Sequence, residues 1–190
     1  ASLNGRLTYL DVDGNVVVLD SDNPSGKLLL GMRELATDAA ISPDGKYLAF
    51  ARRGVDRRRI YIRHLPSQQE ILVPSTAKEM FTPAWDLRGE LLAYGTRGSV
   101  ENPGAGDDRN IYFYDRGSGR IEPICIGPED DAEPAWSPSN PNLLAFSRAE
   151  GVHRQIWIVE FSPDGKPSEQ QLTRYGGEKP VWLPDGSTIL

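Results

Sequence analysis

The chain is poor in the residues that build covalent frameworks and metal sites: its 190 residues include one cysteine and two histidines. A single cysteine cannot form an internal disulfide, and neither His64 nor His153 has a Cys or His neighbour at zinc-ligand spacing. Cys125 alternates with two isoleucines, a pattern that favours a buried thiol over a nucleophile. We therefore expect no disulfide, no metal and no cofactor.

Other absences exclude further classes. No apolar run approaches 18 residues, so no membrane-spanning helix is predicted. No G-x-S-x-G motif of a hydrolase nucleophile is present. The net charge of −6 argues against nucleic acid as the main partner. The sequence thus predicts a protein without catalytic machinery, membrane insertion or nucleic-acid binding.

Turn-forming residues, in contrast, are abundant, with 19 glycines and 15 prolines. Both exceed their usual frequencies, which indicates many turns and therefore many short strands.

A repeated motif organises these turns. Four segments align: "ISPDGKYLAF" from Ile41, "WDLRGELLAY" from Trp85, "WSPSNPNLLAF" from Trp136 and "WLPDGSTIL" from Trp182. Each continues, where the chain allows, into alternating strands such as "RRIYIRHL". One unit is therefore four short strands, A to D, in about 45 residues, with the tryptophan on strand A. Four antiparallel strands at this period predict a β-propeller blade.

Several residues of the motif are assigned structural roles. The Asp-Gly pairs suit the turn from strand A to strand B, and the tryptophans are expected to pack between blades. The assigned residues are Asp44, Gly45, Trp85, Gly89, Trp136, Trp182, Asp185 and Gly186.

The combination "PAW", "SPDGK" and "LAF" resembles the PD40 (WD40-like) repeat of the TolB-like propeller family. It is similar, less closely, to the propeller domains of prolyl oligopeptidase and dipeptidyl peptidase relatives. The resemblance extends over about residues 4–190. For the TolB-like family it implies a repeat protein that acts as a protein-binding scaffold in the periplasm or another extracytoplasmic space.

The expected fold is a single all-β domain over residues 1–190, a propeller of four four-stranded blades. The blades are predicted at 4–36, 37–77, 78–128 and 129–176. The first unit lacks a strand A, and residues 179–183 are expected to supply it and close a four-blade ring. In two alternatives the chain is part of a larger propeller, or its last strand completes the first blade of a second copy, giving a homodimer.

Variable, charged loops indicate where a partner would bind. In a propeller the B–C and D–A loops share one face, and a variable face on a rigid scaffold commonly carries binding. The arginines suit a carboxylate-rich segment or a phosphate; the alternative is that these are solvated hairpin tips. The candidates are Arg52, Arg53, Arg57, Arg58, Arg59, Glu101, Asp107, Asp108, Glu129, Asp130, Asp131, His153 and Arg154.

Together these patterns favour a non-catalytic propeller that binds a protein or peptide. Two alternatives stay open: the gating propeller domain of a prolyl-oligopeptidase-like serine hydrolase, and a ligand- or glycan-sensing extracytoplasmic domain of a receptor.

Overall fold

The computed structural model describes residues 6–99, 108–125, 129–162 and 167–190, and these are almost entirely strands and turns. One 3-10 turn covers Met32–Glu34. The strands are β1 (Leu7–Leu10), β2 (Val16–Leu19), β3 (Lys27–Leu30), β4 (Ala36–Ile41), β5 (Tyr47–Arg53), β6 (Arg58–His64), β7 (Glu70–Leu72), β8 (Ala77–Trp85), β9 (Leu91–Ser99), β10 (Arg109–Asp115), β11 (Ile121–Cys125), β12 (Asp131–Trp136), β13 (Leu143–Glu150), β14 (His153–Phe161) and β15 (Pro167–Gln171). The all-β class predicted from the sequence is confirmed.

No helix in the described ranges is both long and apolar enough to cross a membrane.

The strands form four consecutive antiparallel units. β1–β3 make the first unit, β4–β7 the second, β8–β11 the third and β12–β15 the fourth. One parallel bridge, between Arg58 and Glu79, links the sheets of the second and third units. In the A to D notation of the repeat, the first unit has strands B, C and D, and each of the next three units has all four strands.

Apolar side chains pack between successive units. Strand B is buried on both of its faces, which is why it appears in the sequence as an unbroken apolar run: Leu48, Ala49 and Phe50 are fully buried. Leu48 and Phe50 pack with Val16 and Leu30 of the first unit. Equivalent clusters join the second unit to the third and the third to the fourth. Burial at these interfaces drives the stacking of units.

Tryptophan side chains fasten neighbouring strands A to one another. The indole Nε1 of Trp85 donates to the carbonyl oxygen of Ala40 at 3.0 Å. Trp182 repeats this bond toward the oxygen of Ala135 at 2.9 Å. Trp136 is buried to the same degree as Trp85, but its Nε1 has no acceptor among the described residues.

The A–B turns also touch across units. Gly45, Gly89 and Gly186 adopt φ of 73°, 69° and 70°, in the left-handed region that glycine tolerates. A Cβ at Gly45 would lie 2.7 Å from Cζ of Arg6, and one at Gly186 would lie 2.8 Å from Cβ of Ser139. Glycine therefore serves both the turn and the close approach to the preceding unit.

The predicted closed ring is not formed. β1 pairs with β2 alone among the described strands. Val181 and Leu190 instead hydrogen-bond each other in both directions, at 3.2 and 2.8 Å, around a bridge between Trp182 and Ile189. Residues 181–183 thus pair with residues 188–190, which follow them closely in the chain. A short hairpin closes a much smaller loop than pairing with β1 would, and therefore loses less chain entropy.

Candidate binding face

The two ends of the propeller are distinguished by how their loops contact each other. The C–D turns hydrogen-bond the A–B turns: Leu65 N donates to the oxygen of Lys46 at 2.8 Å, and Arg116 N to that of Glu90 at 3.0 Å. These turns therefore lie at one end. The described parts of the B–C and D–A connections lie at the other end, which we call the binding face.

A cleft of about 350 Å³ opens among the innermost strands, and we call it the central cleft. Its lining contains four basic and three acidic side chains, so it offers both signs of charge to a ligand. The lining residues are Asp38, Arg58, Glu79, Phe81, Thr82, Arg97, Arg109, Glu133 and Lys179.

Arg58 is held in the cleft by two carboxylates. Its guanidinium lies 3.7 Å from Asp38 and 3.8 Å from Glu79, and so spans the second and third units. Its Nε is buried and has no hydrogen-bond partner in the described parts of the chain. Both ion pairs are long, so the arginine retains unused hydrogen-bonding capacity.

Glu133 fixes the other side of the cleft. Its Oε2 accepts hydrogen bonds from Ser147 Oγ and from the backbone N of Lys179, each at 2.8 Å. The carboxylate therefore ties the fourth unit to the last strand A.

Strand A has an unusual backbone where it enters the cleft. Thr82, Glu133 and Lys179 have φ of 46°, 58° and 56°, and each precedes a proline. The pairing register shifts there, between Phe81 and Ala84 in β8 and at the matching place in β12. Non-glycine residues with positive φ are uncommon and concentrate at functional sites. The sequence patterns do not predict a role for these three residues; the signal that could have found them is the proline two residues before each tryptophan of strand A.

The structure separates the predicted arginine cluster. Arg53 and Arg57 are exposed at the B–C connection of the second unit. Arg58 lies in the central cleft. Arg59 is partly buried and donates from Nη1 to the oxygen of Ala77.

Arg52, also predicted as a binding residue, is engaged inside the second unit. Its guanidinium lies over the rings of Phe50 and Tyr61, 5.0 and 4.4 Å from their centroids. It pairs with Glu34 and, at 3.1 Å, with Glu70. The physical reason is the alternation of strand β5, which directs this side chain across the sheet rather than out of the loop. We assign Arg52 a structural role.

Glu34 shares this ion-pair network. Burial favours the neutral acid, but the hydrogen bond from Arg63 and the charge of Arg52 outweigh it and lower the pKa of Glu34. The carboxylate is therefore ionised at neutral pH and stabilises the charged arginines beside it.

The predicted acidic residues also divide by environment. Glu129 is exposed. Asp130 lies 2.7 Å from Nε of Arg109 and 3.3 Å from Nη1 of Arg154. Asp131 is fully buried and accepts two bonds from Arg148, at 2.8 and 2.9 Å. Asp131 is thus a structural partner of Arg148, whereas Asp130 joins two arginines at the binding face.

Five predicted binding residues remain, and the structure describes three of them. His153 and Asp108 are exposed. Arg154 is directed inward and donates to the backbone oxygens of Asp130 and Ser147 at 2.7 and 2.9 Å. Glu101 and Asp107 lie outside the described residues.

Comparisons with known proteins support the propeller architecture described above. No family model matches the chain. Over 81 residues, which are 43% of this chain and 12% of the relative, it is 33% identical to a Bacillus subtilis protein described as the uncharacterized peptidase YuxL. A putative TolB from Agrobacterium tumefaciens superimposes with a TM-score of 0.76 at 22% identity, covering 97% of this chain and 64% of that one. This chain has a TolB-like β-propeller fold. TolB from Acinetobacter baumannii gives 0.74 at 17% identity, covering 97% and 45%.

The TolB-like chain spans less than two thirds of the length of each of these three proteins.

One serine–histidine contact in this TolB-like propeller bears on the hydrolase alternative. His64 Nδ1 lies 2.8 Å from Ser67 Oγ, in the C–D turn opposite the binding face. No carboxylate of the described residues hydrogen-bonds the other ring nitrogen, so the third member of a catalytic triad is not in place there. The described residues also hold no cluster of three or more His, Cys, Asp or Glu fit for a metal.

Proposed function

We propose that this chain is a non-catalytic TolB-like propeller that binds a protein or peptide at its binding face. The observation that carries the proposal is the central cleft, whose charges of both signs lie beside the exposed Arg53 and Arg57. A polypeptide partner presents carboxylates and ammonium groups together, and complementary charge provides specificity and fast association. The TolB resemblance supports an extracytoplasmic location.

The positions of the ion pairs support a partner that reaches into the cleft. Arg58 is held at 3.7 and 3.8 Å from its two carboxylates, so a carboxylate of the partner can improve on its present contacts. Charge-assisted bonds at 2.7–2.9 Å are the stronger kind. We therefore propose Arg58 as the anchor and Arg53 and Arg57 as the rim that attracts acidic residues.

Charge reversal on each end of the propeller tests this function. Arg53→Glu/Arg57→Glu changes two exposed arginines of the binding face, and Arg88→Glu/Arg120→Glu changes two exposed arginines of the opposite end. Each protein is immobilised and exposed to a periplasmic extract, and the captured proteins are quantified by mass spectrometry. We expect the first variant to lose a specific bacterial partner that the wild type and the second variant retain. Equal loss in both variants, or loss in the second alone, would contradict the proposal.

A second function is favoured by one comparison, the 33% identity to a protein described as a peptidase. In this reading the chain is a propeller that admits substrate to a hydrolase domain. A G-x-S-x-G segment in the continuing reading frame, together with peptidase activity of that longer protein, would support this function over the first.

A related proposal is that the chain self-associates through the edge of β1, which no other described strand except β2 pairs with. Leu7 and Tyr9 on this strand are 56% and 37% exposed. An open strand edge can pair with another chain, and residues 179–183 of a second copy supply a strand of the correct type. A monomeric mass in solution at micromolar concentration would reject the homodimer.

A further inference from the structure

An arginine fills the same place in two of the repeat units. In the second unit, Phe50 and Tyr61 are direct cross-strand partners, and Arg52 lies over both rings. Glu70, which pairs with Arg63 across strands β6 and β7, accepts hydrogen bonds from Arg52. Arg63 and Glu34 join the same network, with Arg63 5.6 Å from the centroid of Phe50. Two aromatic rings and the ion pair of Arg52 with Glu70 thus form the centre of a filled layer.

The fourth unit repeats this layer. Phe146 and Trp157 are direct cross-strand partners, and Arg148 lies 5.1 and 4.7 Å from their ring centroids. Glu169 takes the place of Glu70 and accepts from Nη1 of Arg148 at 2.6 Å. The layer is therefore a recurring feature of the repeat.

The third unit keeps the aromatic pair and lacks the ion pair. Tyr94 and Tyr112 are direct cross-strand partners, with ring centroids 6.4 Å apart and planes inclined by 22°. Thr96 follows Tyr94 by two residues, as Arg52 follows Phe50. Ile121, which pairs with Tyr114, stands where the other units have glutamate. Cation and carboxylate are thus both replaced.

A cavity of about 540 Å³ occupies the space that this replacement leaves. Its volume lies in the range of small-molecule sites, which are mostly apolar with a few polar groups. The lining combines two tyrosine rings with hydroxyl, amide and carboxylate groups: Pro74, Ser75, Thr76, Ala77, Tyr94, Thr96, Gly98, Asp108, Asn110, Tyr112 and Ile121.

We propose that this cavity, which we call the tyrosine pocket, binds a small neutral molecule with a planar aromatic ring. The ring takes the place that the guanidinium planes of Arg52 and Arg148 take in the neighbouring units. It lies against Tyr112, which is partly exposed, whereas Tyr94, the other ring of the pair, is fully buried. A planar group stacked on Tyr112 gains aromatic contacts in addition to the apolar area it buries.

The charge of the lining sets the chemical class of the ligand. The glutamate that accompanies each arginine in the other units is absent, because Ile121 replaces it. A cation buried there without a counter-ion would lose its hydration without compensation. The one carboxylate of the lining, Asp108, is exposed, so it suits an N–H or O–H of the ligand that points to solvent.

This pocket is independent of the protein-binding proposal. It lies between the connection from β7 to β8 and the sheet of the third unit, and it shares no lining residue with the central cleft. Protein binding at the binding face and small-molecule binding in the tyrosine pocket can therefore be tested separately, and failure of one does not imply failure of the other.

Indole and phenol are the probes, and ligand-observed NMR titration measures their affinity for the purified chain. We expect saturable binding at one site with a Kd of about 1 mM or tighter for indole, a reasonable value for so few heavy atoms. Nuclear Overhauser contacts should link indole protons to the ring of Tyr112. Absence of saturable binding, or contacts to other aromatic residues only, would overturn the proposal.

A variant whose new side chains fill the tyrosine pocket, compared with one that leaves its volume unchanged, tests where indole binds. Thr96→Arg/Ile121→Glu rebuilds the ion pair of the other units and should weaken indole binding at least tenfold without lowering Tm. Thr96→Val keeps the volume and should stay within about threefold of the wild type. Unchanged indole binding in the filled variant would contradict the assignment of the binding site to the tyrosine pocket. Tighter binding of methylguanidinium than of indole would contradict the proposal that the ligand is neutral. If the filled variant does not fold, the Nuclear Overhauser contacts in the wild type decide alone.

Discussion

The indole nitrogen of Trp85 donates a 3.0 Å hydrogen bond to the backbone oxygen of Ala40, which belongs to strand A of the preceding unit. This bond joins two units at the inner strand, where the apolar contact of the tryptophan ring alone would permit sliding. Its energetic value can be measured because Trp136 occupies the equivalent position without such a bond.

Trp85→Phe should destabilise the chain more than Trp136→Phe. Both changes remove similar apolar area from residues that are each 8% exposed. Only the first also removes a hydrogen bond, that to the partly buried Ala40, which costs about 0.5–1.5 kcal/mol. Urea unfolding followed by circular dichroism measures the difference. Equal losses would show that the hydrogen bond contributes nothing beyond packing.

Acid should weaken the contribution of Glu34 to stability. Its pKa in the folded chain is lowered by Arg63 and Arg52, so its stabilising effect is fully present above the ordinary value of about 4.3. The effect is lost as pH falls through the lowered folded value. The stability difference between wild type and Glu34→Gln should therefore be larger at about pH 6 than at about pH 3, as measured by urea unfolding. A difference that stays constant with pH would contradict the ionised pair.

Cys125 should react only when the chain unfolds. The thiol is 2% exposed, and burial, with the charge of Asp131 next in effect, raises the pKa of Cys125 well above its usual range. Because the thiolate is the reactive form, Ellman's reagent should label the native chain slowly and the urea-unfolded chain at once.

Ser118→Cys provides the control for this experiment, since residue 118 is exposed in the turn between β10 and β11. That variant should gain one rapidly labelled thiol while Cys125 stays protected. Rapid labelling of both thiols in native conditions would show that the third unit opens locally.

Gly95→Ala should destabilise the third unit. A Cβ at residue 95 would overlap the ring of Phe81, at 2.7 Å from Cδ2, and overpacking of this kind costs about 1–3 kcal/mol. Gly31→Ala is the matched control, because nothing lies within 4 Å of its added Cβ. Thermal unfolding should show a clear loss of Tm for the first change and little effect from the second. Equal Tm values would mean that Phe81 moves aside freely.

Much of the fold could be predicted because its determinants are local. The Asp44-Gly45 turn, the tryptophan of each strand A and the buried run of each strand B lie within a few residues of one another. They repeat, so one unit supports the interpretation of the next. The order of strands, including a first unit without strand A, follows from this register alone.

The sequence did not predict which individual charged side chains are exposed and which are paired with other residues. Arg52 and Asp131 belong to charged stretches of the sequence, but their partners come from distant positions in the chain. Glu34, for example, precedes Arg52 by 18 residues. Whether an arginine faces solvent or a carboxylate depends on these distant contacts. The predicted ring closure is not confirmed for a related reason, since Trp182 pairs with Ile189, a few residues further along the chain.

The interlocking of successive A–B turns limits how such a chain can change. Gly186 leaves no space between its own turn and Ser139 of the preceding one, so an added residue there would push two units apart. At the opposite end, nothing lies within 4 Å of a Cβ added at Gly151, and two described B–C connections already differ in length, 54–57 in one unit and 151–152 in another. New specificities can therefore arise by lengthening loops at one end while the spacing of the units is preserved at the other.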